Sequence, residues 1–203
     1  MPRRHTKDKS KKWGRDMTYF GQKILPSVRK LEDFEKMLKS PYEYGVLLEM
    51  HVSRLKAVYE LAHRYDKKMF LHMDLVQGLK NDEYATEYVC QELKPYGVIS
   101  TKASVIVKAR QKKVKTMQRM FLLDSSSLEK SYQLMERTQP DYIEVLPGLM
   151  PKYIEEVKRK TGKLVFAGGL IDTVEEVEQA IAAGASSITT SNKELWKYFE
   201  PNK

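Results

Sequence analysis

Eight short apolar runs recur along the chain at intervals of about 22 residues, each followed by a stretch whose apolar residues repeat at helical spacing. The runs read as strands. In the first half they are Lys23-Ile24-Leu25-Pro26, Gly45-Val46-Leu47-Leu48-Glu49, Met69-Phe70-Leu71-His72-Met73-Asp74 and Gly97-Val98-Ile99-Ser100-Thr101. The second half supplies Met120-Phe121-Leu122-Leu123-Asp124, Tyr142-Ile143-Glu144-Val145, Leu164-Val165-Phe166-Ala167 and Ser187-Ile188-Thr189-Thr190. Between them, sets such as Leu31, Phe34, Met37 and Leu38, or Val174, Val177, Ala180 and Ile181, mark one apolar face of a helix with charged residues outside. Strand then helix, eight times over, predicts a compact α/β fold of the (β/α)8 TIM-barrel type. Parallel strands need crossovers, and closing the sheet removes its exposed edges. An open doubly wound sheet competes, but it ordinarily carries its glycine-rich turn after the first strand, whereas the glycine pair here follows the seventh.

That pair sits in LVFAGGLIDT, residues 164–173. Glycine where a strand gives way to a helix lets main-chain N–H groups approach an anion, although adjacent glycines also serve ordinary turns. Position weighs toward the anion, because barrels commonly hold phosphate in the loops after strands seven and eight. Gly168, Gly169, Thr190 and Ser191 are therefore the phosphate-binding candidates. Ser191 or Asn192 can equally cap the last helix.

Charged residues occupy the other strand ends. Glu49, Asp74, Lys102, Asp124 and Glu144 follow strands two to six, and the two-residue alternation of a strand lets His72 share a side with Asp74. One such charge is usually a solvated turn residue, while five around one rim point to a shared ligand. Carboxylates accept hydrogen bonds from hydroxyls, and a lysine offsets their charge or reaches an anionic end, so the ligand class is a small phosphorylated polyol. The same inventory admits proton abstraction in an isomerase, or a Schiff base at Lys102 in an aldolase. The chain has no zinc-ligand spacing, no GxxxxGK[ST] loop and no GxSxG elbow, and neither metal nor cofactor is expected.

At 203 residues, 41% hydrophobic and 31% charged, the chain has the make-up of one soluble domain, and no segment reaches the roughly 20 apolar residues of a membrane span. The expected compartment is the cytoplasm. A lone cysteine, Cys90, lies in a helical pattern and reads as a small buried hydrophobe. The net charge of +9 is concentrated in two places. Residues 1–16 carry seven Lys or Arg against two Asp, forming a basic tail ahead of a single barrel domain over 17–203. That tail admits three readings: a nucleic-acid arm, solvated disorder, or an untranslated stretch whose purine-rich codons place a ribosome-binding site ahead of an initiator at Met17. The second concentration is residues 108–119, KARQKKVKTMQR, without one acidic residue. It offers a footprint for RNA or DNA on the bottom of a barrel, or a solvated helix end.

Read together, LHMDLVQGL, GVISTK, MFLLDSSSLE, DYIEVLPG and FAGGL with TTSN resemble the glycerol-3-phosphate-responsive antiterminators of bacterial glycerol-uptake operons, in order and spacing, from Ile24 to Phe199. The resemblance implies a barrel that binds glycerol 3-phosphate as effector and acts on the leader mRNA of glycerol genes, letting transcription pass a terminator, without catalysis. It places the phosphate on Gly168, Gly169, Thr190 and Ser191. Asp74, Lys102 and Glu144 would then meet the glycerol hydroxyls or orient the pocket, with Glu49, His72 and Asp124 as further members. No motif fixes the RNA contacts, so Arg110, Lys112, Lys113 and Lys115 are chosen on charge alone. A small barrel enzyme acting on a three-carbon phosphate is the alternative, and a protein-binding adaptor with a relic phosphate pocket is a third reading. A membrane partner is not expected, and a homo-oligomer stays open.

Overall fold

The computed structural model describes residues 19 and 21–201; the basic tail lies outside them. Eight parallel strands close in sequence order: β1 (Ile24–Val28), β2 (Tyr44–Leu47), β3 (Lys68–His72), β4 (Gly97–Ser100), β5 (Lys115–Phe121), β6 (Tyr142–Leu146), β7 (Leu164–Gly168) and β8 (Ser187–Thr190), with β8 pairing back onto β1. The helices between them are α1 (Leu31–Lys39), α2 (Val52–Arg64), α3 (Glu83–Tyr88), α4 (Ala103–Gln111), α5 (Ser125–Thr138), α6 (Pro151–Thr161), α7 (Val174–Ala182) and α8 (Lys193–Tyr198). This is the (β/α)8 barrel that the spacing of apolar runs predicts. Among the described residues no helix is long and apolar enough to cross a membrane.

Strand alternation separates two cores. Residues such as Val28, Leu47, Leu71, Val98 and Val165 face the helices, while Leu25, Val46, Phe70, Ile99, Met117, Tyr142 and Phe166 fill the barrel. An aromatic plug closes the lower, N-terminal end of the strands. The Tyr19 hydroxyl bonds those of Tyr96 at 2.8 Å and Tyr142 at 3.0 Å, and its ring packs edge-on against Tyr44, Tyr142 and Phe166. The interior is therefore reached from the upper end, where the strands finish.

Two boundaries differ from the pattern. The seventh strand runs through Gly168, so that residue belongs to the sheet ladder opposite Thr189 instead of opening the loop. The fifth strand begins at Lys115, not Met120. Its polar side chains hid it: Thr116 and Gln118 are fully buried, Thr116 against the Asp141 carboxylate and Gln118 donating to the carbonyls of Ser100 and Thr101. The basic run is thus cut in three, into the end of α4, a turn, and a strand that carries Arg119 to the other end of the barrel. Cys90 is buried, and burial pushes its thiol up to about 11.

Candidate functional site

Above the apolar interior the inward positions turn polar: Ser27, His72, Arg119, Glu144 and Thr189 are the upper residues of their strands. Glu144 is wholly buried. Its Oε2 accepts from Arg119 Nε at 2.6 Å and its Oε1 from Thr189 Oγ1 at 2.6 Å. A buried carboxylate needs both the countercharge and the second donor, and here it has them. The pairing uses only one edge of the guanidinium. Among the described residues no group bonds either Nη of Arg119, and the side chain reaches the floor of a cleft of about 500 Å3.

The cleft lies at the strand ends, between the loops after β7 and β8 on one side and Ser27, Arg29 and Leu48 on the other. Gly169, Leu170, Ile171, Thr190, Ser191 and Asn192 line it. The loop after β7 makes this wall through two consecutive residues with positive φ, Gly169 at 70° and Leu170 at 60°. Glycine adopts that conformation freely, and a leucine held there is unusual. The carbonyls of Gly168 and Gly169 are tied down by Gly148 N–H at 2.7 and 3.2 Å, fixing the loop against its neighbour. Among the described residues no hydrogen bond engages the N–H groups of Leu170, Ile171 or Ser191. Main-chain N–H groups left without a partner in residues that line the same cleft as a guanidinium suit an anion with several oxygen atoms.

Of the sequence candidates, the structure brings Gly169, Thr190 and Ser191 together at this cleft, with Gly168 and Glu144 just behind it. It spreads the others around the rim. Asp74 accepts from Ser100 Oγ, from Thr101 N and Oγ1 at 2.7 Å each, and from Asn81 Nδ2 at 2.6 Å, so it clamps the loop after β3 to the end of β4. Burial works to raise its pKa, but those hydrogen bonds together hold it below the usual carboxylate range. Lys102 is an exposed residue preceding α4 and does not line the cleft. Asp124 caps α5 by accepting from Ser127 N at 2.7 Å. Glu49, with φ at 48°, pairs with Arg29. The pattern missed Arg119 and Arg29. Arg119 was hidden in a run read as surface charge, and Arg29 stands two residues beyond Ser27, where the alternation of β1 extended past its last apolar residue points to it.

His72 is 2% exposed, and neither ring nitrogen has a hydrogen-bond partner among the described residues. Burial first, then the positive charge of Arg119, push its pKa down to about 4. The unfolded chain therefore takes up a proton near pH 6.5 that the folded chain refuses until about pH 4, so folding stability falls as pH drops through that interval. His72→Leu is expected to flatten this part of a urea-midpoint profile, and a profile unchanged between pH 6.5 and 4.5 would show that His72 is not the group responsible. The lowered carboxyls, Asp74 and Asp141 among them, lose their contribution only at more acid pH.

Gly169→Val tests the wall. The nearest atom to an added Cβ is Leu146 Cδ2 at 3.4 Å, so space exists, but the positive φ strains a branched residue by roughly 1–3 kcal/mol. The fold is expected to survive while affinity for a phosphate ester drops roughly tenfold or more. Undiminished affinity by calorimetry would take Gly169 out of the site.

On the opposite end the cations are mostly engaged. Lys112 and Lys108 both reach Glu87, Lys115 meets Asp141 at 3.0 Å, and Arg110 donates to the Thr138 carbonyl at 2.9 Å; Lys113 occupies the turn with φ at 60°. The patch is less charged than the bare run suggests.

Fold and site together define a (β/α)8 barrel with a cleft at the strand ends whose floor is reached by Arg119. The chain matches the model of the glycerol-3-phosphate responsive antiterminators over residues 24–196, and it belongs to that family. It is similar to the crystal structure of the glycerol uptake operon antiterminator regulatory protein of Listeria monocytogenes, with 46% identity and a TM-score of 0.85, over 87% of this chain and 95% of that one. A glycerol uptake operon antiterminator-related protein of Thermotoga maritima superposes with a TM-score of 0.75 at 28% identity, over 87% and 98%. An Escherichia coli protein described as uncharacterized, YgcP, is 28% identical over 173 residues, 85% of this chain and 91% of its own.

Proposed function

We propose that the upper cleft binds glycerol 3-phosphate and that the protein is an effector-sensing antiterminator acting on the leader mRNA of glycerol-utilisation genes. The observation that carries the ligand assignment is the convergence of the unpaired edge of Arg119 with the unengaged amides of Leu170, Ile171 and Ser191 in one cleft. Membership of a family described as glycerol-3-phosphate responsive supports glycerol 3-phosphate as the ester. In this reading Gly169, Thr190 and Ser191 form the phosphate wall, while Gly168 and Glu144 hold it and Arg119 in place. Asp74, Lys102 and Glu49 stand at the strand ends outside the cleft lining, and in this reading they orient the pocket without touching the phosphate.

The same geometry argues against the enzyme alternative. A Schiff-base lysine needs a desolvated setting that lowers its pKa, and Lys102 is exposed and outside the cleft. The assignment of the effector is tested by thermal denaturation with glycerol 3-phosphate, glycerol and inorganic phosphate. Glycerol 3-phosphate is expected to raise the midpoint most, since a ligand stabilises only the state it prefers. Equal midpoints with all three would overturn it.

The regulatory half requires the ligand to bind the RNA-competent form more tightly than the other form. Leader-RNA affinity is expected to rise with saturating glycerol 3-phosphate; unchanged affinity, with the ligand shown to bind, would remove the coupling. The lower face around Arg110, Lys112, Lys113 and Lys115 is the proposed RNA contact. Replacing Lys112, Lys113 and Lys115 together by Ala is expected to weaken RNA binding and flatten its salt dependence, because an RNA phosphate that no lysine neutralises keeps its counterion. An unaltered salt slope would move the RNA to another face.

A further inference from the structure

A phosphate monoester brings about one and a half to two negative charges at neutral pH, and a site for it needs positive charge that is not already compensated. Among the described residues that line the cleft there are two cations, Arg29 and Arg119. Each already has a carboxylate, Glu49 for the first and Glu144 for the second. Asp172 adds a negative charge to the same lining, so these five side chains together carry one net negative charge. A dianion is disfavoured there while both arginines keep their carboxylates.

The two pairs differ in what breaking them costs. Glu144 is wholly buried, so taking Arg119 away strands a charge inside the barrel. Arg29 and Glu49 have 49% and 42% of their side chains open to solvent. Water hydrates the carboxylate when such a pair parts, and exposed pairs contribute little to stability. The exchange therefore falls on Arg29. Placement agrees with this. Arg29, the residue after β1, lines the cleft together with the loops after β7 and β8, and it also lines a second groove of about 700 Å3 formed mainly by residues that follow β1 and β2. Glu49 lines that groove and not the cleft. The carboxylate thus holds Nη1 of Arg29 from the groove side, while among the described residues no hydrogen bond engages its Nε or Nη2.

We infer that Arg29 is a second phosphate-binding arginine whose charge Glu49 withholds: the ligand takes the guanidinium from Glu49, and the ion pair is an autoinhibitory contact that competes with the anion. This inference rests on the proposed ligand site and adds its regulation. Arg119 is a fixed donor in the floor, and Arg29 is an exchangeable one at the mouth. Binding leaves Glu49 uncompensated in the second groove, so occupancy of the cleft changes the charge of the neighbouring surface.

The test is the calorimetric affinity for glycerol 3-phosphate of the full unaltered chain, of Glu49→Gln, of Arg29→Met and of the double variant. Arg29→Met is expected to weaken binding roughly tenfold or more, through loss of a charge-assisted hydrogen bond. Glu49→Gln is expected to strengthen it about two- to fivefold, the scale of an exposed ion pair, and to add nothing once Arg29 is replaced. The sign of the Glu49 effect decides. Weaker or unchanged binding in Glu49→Gln would overturn the exchange and leave the phosphate site standing. An equal gain with and without Arg29 would reduce Glu49 to a background charge and overturn it too, as would an Arg29→Met chain that binds like the unaltered one. Failure of the unaltered chain to bind glycerol 3-phosphate would instead overturn the site on which the inference depends. If a variant does not fold, NMR of the unaltered chain decides: the Arg29 side-chain 15N and Glu49 carboxyl 13C signals should both move as the ligand saturates. A fixed Glu49 signal beside a shifted Arg29 would mean that the pair persists, and an unmoved Arg29 would take it out of the site.

Discussion

Arg119→Met is expected to abolish tight phosphate-ester binding and, in the same stroke, to destabilise the fold. Glu144 is wholly buried, and Arg119 is its countercharge. Removing that partner leaves a carboxylate stranded in the barrel, which costs about 3–5 kcal/mol by the behaviour of broken buried pairs. The ligand is deprived of a charge-assisted hydrogen bond at the same time, so affinity should fall on the order of a hundredfold. The two effects separate in a double variant. Adding Glu144→Gln to Arg119→Met removes the stranded charge while keeping an acceptor for Thr189, so the urea midpoint should recover most of its loss. Ligand affinity should not recover. If Arg119→Met bound glycerol 3-phosphate as well as the unaltered chain, the guanidinium would have only a structural role.

Gly168→Ala has the second largest expected effect, and its cause is steric. A Cβ at this position would stand 2.2 Å from Thr189 Oγ1 and 3.3 Å from Glu144 Oε1. Gly168 is fixed in the sheet opposite Thr189, so the backbone has little freedom to retreat. The hydroxyl must swing off the carboxylate, and overpacking plus the broken bond to a charged acceptor together cost about 3 kcal/mol or more. Thr189→Ala should relieve part of this when combined with Gly168→Ala, making the double variant more stable than the sum of the single losses implies. Strict additivity in denaturant unfolding would mean that the clash is absorbed elsewhere.

These two residues also show what could be read from the chain and what could not. Apolar runs such as Leu164-Val165-Phe166-Ala167 mark strands because both faces of a barrel strand are buried, and that made the eight units and their order legible. The placement of Gly169 and Ser191 beside each other followed from the barrel rule once the count of strands was known. The fifth strand was not legible at its start, since Thr116 and Gln118 are buried and Arg119 half-buried polar residues, each held by specific partners on other elements. Hydrophobic periodicity cannot register a polar side chain whose partner is 25 residues away, as Glu144 is from Arg119. The strand-end charges were visible as residues but not as contacts: Asp74 looked available, and three flanking residues already occupy it. Lys112 and Lys115 likewise looked free until Glu87 and Asp141 were placed beside them by the fold.

The central claim is that an anionic polyol ester sits on the loop amides after β7 and β8. A backbone 1H–15N titration of the full chain with glycerol 3-phosphate addresses it residue by residue. The amides of Leu170, Ile171 and Ser191 are predicted to shift in parallel and to saturate at one dissociation constant, with those of the α4–β5 turn unmoved by direct contact. Saturable shifts confined to other parts of the barrel, with Leu170, Ile171 and Ser191 unchanged, would contradict it.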